Sequence, residues 1–369
     1  MAQRTSPPFR ANHVGSLIRP QELREARQMH LEGKLPAAKL RALEDRLIRE
    51  VVAMQERVGL QAVTDGEFRR TSFREVLFES MEGFSKARIE TDFAFSYADG
   101  STRRATPVPK VVSRLRRSGS MAAGDFRFLK TATKATAKVM LPAPSLAHWF
   151  VGDRVFAGGP YADARAYMAD IARIYREEIA ELAFLGCTYV QIDEVPIPVI
   201  CDPAGDHRQT RRGPPFACGP LRRYHQRRDP RPGPGMTVVI HLCRGNEGVA
   251  GLGSGGYDGI AERVFGRLNV NGYLLEYDTP RAGDFAPLRF LQKHAIAVLG
   301  LVSTNVVELE FKDALKRRID EASRVMDLDR LGLCPQCGFA SLYRYDRMGP
   351  DLQERKLALL VATARDIWG

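Results

Sequence analysis

Eight short apolar runs of β character recur along the chain, most of them separated by longer helical patterns, and this alternation limits the fold more than any other feature. The runs are residues 9–16, 60–67, 137–143, 188–194, 236–243, 272–277, 295–302 and 331–338. Other stretches, such as residues 37–59, 161–186 and 351–369, repeat their apolar side chains at spacings of three and four, which gives a helix one buried stripe. Eight strands with helices between them predict a (β/α)8 barrel, an α/β fold of the TIM-barrel type, with residues 1–369 as a single catalytic domain.

A barrel of this kind carries its reactive groups at the C-terminal ends of its strands. Polar residues concentrate at those ends: Ser16 after the first run, Asp65 and Glu67 after the second, Asp193 and Glu194 at the fourth, His241 and Cys243 at the fifth, Glu276 at the sixth and Cys337 at the eighth. Alternate residues of a strand point the same way, so the His241 imidazole and the Cys243 thiol face one side. His241, Cys243, Glu276 and Cys337 together offer an imidazole, two thiolates and a carboxylate, which is a zinc-type ligand set. Taken singly, each has a blander reading as a core cysteine or a hydrogen-bonded histidine. Cys334 and Cys337 also read as a CxxC redox pair, a reading that leaves His241 and Cys243 unexplained, and no second CxxC supplies the other half of a zinc ribbon.

Composition narrows the class further. No stretch approaches the ~18 apolar residues that cross a bilayer, and the first residues, MAQRTSPPFRANH, lack an apolar signal core. The expectation is a cytoplasmic enzyme without a membrane partner, its six cysteines reduced. A formal net charge of +11 raises the question of nucleic acid. More than half of that excess lies in one short piece between Asp206 and Arg231, where eight arginines face two aspartates. No nucleic-acid partner is therefore expected, and acidic small molecules suit the remaining charge.

Two stretches break the repeat. Residues 85–135, including DFRFLK, read as a β-rich insertion after the second strand, placed to cover the barrel mouth or to meet a second subunit in a homo-oligomer; a surface hairpin without a role is the plainer alternative. Residues 205–235 should hold a covering helix, yet six prolines forbid one. The abrupt dominance of Arg, Pro and Gly, ending at Met236, is the composition expected of a segment read out of frame.

The motifs HVGS, TDGEFRR, QIDEV, IHLCRGN, LLEYD and CPQCGF together resemble the cobalamin-independent methionine synthase family, in a short single-barrel form like the C-terminal catalytic domain of 5-methyltetrahydropteroyltriglutamate–homocysteine methyltransferases. The resemblance runs from Arg10 to Gly369, apart from residues 205–235. It implies that His241, Cys243, Glu276 and Cys337 hold Zn2+, and that Ser16, Glu67 and Asp193 hold homocysteine, whose ammonium suits carboxylates. It also implies a methyltetrahydrofolate-type methyl donor. The chain departs from the family in three places: it has no room for the second barrel of the long synthases, Val302 and Ser303 stand where the family has a proton-relaying His, and Cys334 stands where Ser or Asn is usual.

The chemistry that follows is zinc-dependent thiol methylation, because a metal-bound thiol loses its proton and becomes the nucleophile. His13 is a candidate proton relay and Trp149 a candidate stacking surface for a pterin. Two alternatives remain open at this point: alkyl transfer to another thiol, as in epoxyalkane:coenzyme M transferases, which would call for Arg or Lys near the thiol carrier, and a zinc-stabilised barrel that binds a thiol without turnover.

Overall fold

The computed structural model describes residues 4–91, 94–96, 101–199, 235–245, 253–342 and 348–369. The Arg/Pro/Gly-rich stretch singled out above therefore lies, up to residue 234, outside the described residues.

Seven strands form one parallel sheet in the order β1 (Ala62–Val63), β6 (Thr136–Pro142), β7 (Tyr189–Glu194), β8 (Thr237–Leu242), β9 (Gly272–Glu276), β10 (Ile296–Val302) and β11 (Leu331–Pro335). The first apolar run, expected as a full strand over residues 9–16, pairs only through a parallel bridge between Ala11 and Leu333. It nonetheless closes the curl. Asn12 N donates to Leu333 O at 2.9 Å and Leu333 N to Arg10 O at 2.7 Å on one side, while Leu17 N reaches Gly66 O at 3.0 Å on the other. The result is the TIM-barrel-type α/β architecture.

Burial on both faces explains the near-continuous apolar strands. β8 shows the division: Val238, Ile240 and Leu242 pack outward against the helices, whereas Val239 joins Phe9, Val14, Tyr189, Leu274 and Val298 inside the barrel. His241 shares the parity of Val239 and so faces inward at the strand's C-terminal end. Helices Ala37–Arg57, Ala164–Phe184 and Pro350–Trp368 supply the outer layer. The second is N-capped by Asp163, whose carboxylate accepts from Ala166 N at 2.7 Å.

Between β1 and β6 the chain leaves the barrel. β2 (Met81–Ile89) pairs antiparallel with β5 (Val108–Arg117), and β3 (Ala94–Ser96) with β4 (Thr102–Arg104). DFRFLK is not part of this β structure: residues Ala123–Ala132 are helical, with Ala123, Phe126 and Leu129 buried. Spacing of three sets their burial, a helical period that a six-residue window with two phenylalanines hid. No described helix is long and apolar enough to cross a membrane.

Candidate active site

Adjacent strand ends bring the polar residues together. Asp193 and His241 are register partners on β7 and β8. Cys243 follows β8 and its Sγ lies 3.3 Å from the Sγ of Cys337, which follows β11. Ligand atoms of His241, Cys243 and Cys337 all fall within 4.8 Å of one another, and all three residues are buried. His241 Nδ1 faces Leu274 O at 3.2 Å, so the ring proton belongs there and Nε2 presents its lone pair; that buried nitrogen has no hydrogen-bond partner. Two sulfurs around a tetrahedral zinc stand roughly 3.8 Å apart for Zn–S bonds near 2.3 Å. A separation of 3.3 Å therefore needs only a small opening to admit an ion. An orphaned imidazole nitrogen and two converging thiols fit a zinc-type ion.

The three groups also share their protons unevenly. Cys337 is held well below the ordinary thiol range by the hydrogen bond from Cys243, with the His241 imidazole adding to the effect against burial. Cys243 is correspondingly pushed well above it, first by Cys337 and then by burial. Burial lowers His241, but the Cys337 thiolate and Asp193 outweigh it and the net shift is upward.

Glu276 is fully buried yet stands outside this group. Arg281 Nε donates to its Oε1 at 2.9 Å and Arg244 N to its Oε2 at 3.2 Å. Of the four residues expected to hold zinc, the structure brings three together and gives the fourth an arginine partner.

A cavity opens beside the sulfurs. Its wall includes Ser16, Glu67, Asp193, His241, Cys243 and Cys337, so every residue expected to hold a substrate meets three of the expected ligands. Glu67 sits at φ 59°, a left-handed conformation unusual for a non-glycine residue, and its amide is fixed by Asp65 Oδ1 at 2.9 Å. Its Oε2 is buried without a partner, and burial raises its pKa to about 7 against the opposing pull of Arg70. Asp193 rises to about 6, also through burial, with His241 opposing. Ser16 rests on a glycine: a Cβ at Gly338 would lie 1.9 Å from its Oγ.

Other expectations land elsewhere. His13 is not among the residues lining the cavity; it is fully buried, and burial, with the nearby Lys138 charge adding to it, drives its pKa down to about 3, which keeps the ring neutral. Trp149 packs edge-on against Phe150, and it is Phe150 that reaches the cavity. Cys334 belongs to the barrel interior with Tyr189 and Val298, and its Sγ contacts Val298 O at 3.7 Å. Ser303, where the family's histidine is absent, donates from its backbone N–H to Glu310 Oε1 at 2.8 Å. Sequence reasoning missed Lys138, whose Nζ lies 3.2 Å from Asn12 Oδ1 and 2.5 Å from His13 O inside the barrel. It also missed Arg74, Arg103 and Arg104 on the cavity wall, although the last two lie in the stretch predicted to cover the mouth.

A family model described as the catalytic domain of cobalamin-independent synthases matches residues 9–205. The chain belongs to the cobalamin-independent methionine synthase family. The matched range contains Ser16, Glu67 and Asp193 and ends before the His241, Cys243 and Cys337 cluster. Across nearly the full length, the chain is 36% identical to the uncharacterized protein YxjH of Bacillus subtilis, over 98% of this chain and 95% of that one. A 5-methyltetrahydropteroyltriglutamate–homocysteine methyltransferase of Synechococcus is 28% identical over 191 residues, covering 51% of this chain but only 24% of that enzyme. Among solved structures, a candidate vitamin B12-independent methionine synthase from Listeria monocytogenes superposes with a TM-score of 0.71 at 29% identity, over 99% of this chain and 100% of that one. The family is one of methyltransferases of methionine biosynthesis, and its members share this barrel.

Proposed function

We propose that this protein is a zinc-dependent S-methyltransferase that converts homocysteine to methionine with a methyltetrahydrofolate-type donor. The observation that carries the reading is the convergence of His241, Cys243 and Cys337 on one wall of the cavity that also holds Ser16, Glu67 and Asp193. A zinc ion held by those three residues would bind an incoming thiol and keep it in its nucleophilic, deprotonated form.

The chain's own groups do the rest. Glu67 and Asp193 offer the substrate ammonium two carboxylates in a buried setting, where a charge-assisted bond is strongest. Phe73, Phe150 and Val195 line the same cavity and exclude water from the reacting sulfur. In the transfer the sulfur's electron pair forms the S–CH3 bond as the donor's N–CH3 bond breaks, and the released donor nitrogen takes a proton. Glu276 stays with Arg281 and Arg244, leaving the sulfur-facing side of the cluster to substrate.

The test is methionine formation by zinc-loaded protein from homocysteine and 5-methyltetrahydrofolate, as mono- and triglutamate. Product with either donor supports the proposal; zinc bound with no alkylated thiol from any donor would leave a thiol-binding barrel. Arg74, Arg103 and Arg104 on the cavity wall favour one second reading, alkyl transfer to a thiol bearing a sulfonate. Turnover of coenzyme M in place of homocysteine would establish it.

A further inference from the structure

Gln191 lies on β7 two residues before Asp193, on the same inward face, and is fully buried. Its Nε2 donates to Asp193 Oδ1 at 2.6 Å and to Val14 O at 2.6 Å. Both partners are acceptors only, so the amide cannot be turned round: its oxygen in that place would face two other oxygens. Val14 and Asp193 both line the cavity, and Val14 lies two residues before Ser16. One side chain thus joins the segment carrying Ser16 to the carboxylate of Asp193.

That bond is also the single hydrogen bond to the Asp193 carboxylate among the described residues. A carboxylate with one fixed oxygen and an otherwise unfilled set of lone pairs, at the edge of a cavity, is held ready for a donor from outside. We infer that Gln191 is a positioning residue for the amino-acid end of the substrate, fixing Asp193 and the Val14–Ser16 segment so that together they receive an α-ammonium group. This rests on the reading of Asp193 as a substrate carboxylate made under the proposed function. The amide itself touches no reacting atom.

The test compares two thiols on zinc-loaded protein by titration calorimetry: L-homocysteine and 4-mercaptobutyrate, which keeps the thiol and carboxylate but lacks the amine. Gln191→Met removes the donor while conserving bulk. It is expected to weaken homocysteine about tenfold and to leave 4-mercaptobutyrate within about twofold, with zinc content unchanged. In an Asp193→Asn background the same substitution should cost homocysteine nothing further. Equal losses for both thiols, or no loss for either, would overturn the role of Gln191 while the wild-type preference for homocysteine leaves the amino-acid site standing. Wild-type protein that binds the two thiols equally overturns both. If Gln191→Met does not fold, Gln191→Asn, which keeps the amide but draws it back by one methylene, carries the same pair of measurements with the same expected ordering.

Discussion

Two buried polar clusters sit side by side at the strand ends and differ in how completely they are bonded. Around Glu276, Arg281 Nε and Arg244 N occupy both carboxylate oxygens, and Arg244 spends its own guanidinium on Gly255 O at 2.7 Å and the Tyr257 hydroxyl at 2.9 Å. In the cavity next to it, His241 Nε2 and Glu67 Oε2 are buried with no hydrogen-bond partner. Leaving buried polar atoms unpaired costs about 1–3 kcal/mol each, so a fold tolerates them where a ligand will complete them. The Glu276 carboxylate is bonded in place, and under the proposed function a metal and a substrate would complete His241 Nε2 and Glu67 Oε2.

The sharpest way to break this contrast is to remove a thiol. Cys337→Ser should keep the barrel, read by circular dichroism, while zinc measured by elemental analysis falls from about one equivalent to a small fraction and methyl transfer falls at least about a hundredfold. Stoichiometric zinc in that variant would contradict the ligand assignment. Glu276→Gln probes the other side. Taking one partner from a buried ion pair whose arginine still reaches water should cost about 3 kcal/mol in chemical denaturation, with zinc largely retained. Loss of zinc at unchanged stability would instead make Glu276 a ligand.

Much of this was legible in the chain. The two-residue step from His241 to Cys243 fixes a common face on any strand, and a barrel sends each strand end to the same mouth, so distant residues such as Glu67 and Cys337 meet without further information. What the pattern could not show is where long side chains turn. Arg281 reaches back to Glu276 from five residues on, and nothing in LLEYD announces it. Lys138 lies within the otherwise apolar run 137–143, yet it points inward and is held by Asn12 and His13. Gly338 is a similar case, because the need for a glycine there comes from Ser16, more than three hundred residues away in the chain.

Smaller effects sharpen the comparison. Without ligands, Glu67 has a folded pKa near 7, above its ordinary value of 4.5, because burial disfavours its charge. A raised carboxylate binds its proton more tightly in the folded state, so stability should fall as pH rises from about 4.5 to about 7 and level off above. Glu67→Gln should flatten that segment of a denaturation-versus-pH curve; an unchanged slope would remove Glu67 as its source. Smallest of all, Gly338→Ala places a methyl group against Ser16 Oγ and should lower stability by about 1–2 kcal/mol, with KM for homocysteine raised and kcat little changed. An unaltered KM would show that Ser16 does not need that glycine to reach the substrate.

Under the proposed function, His241, Cys243 and Cys337 share one zinc ion open to an incoming thiol. X-ray absorption at the zinc edge, recorded on the purified protein before and after adding homocysteine, tests it most directly. Two sulfur ligands and one imidazole are expected in the resting protein, and a third sulfur once homocysteine is present. A sulfur count that stays fixed on saturation with homocysteine, or a zinc environment without sulfur, would contradict it.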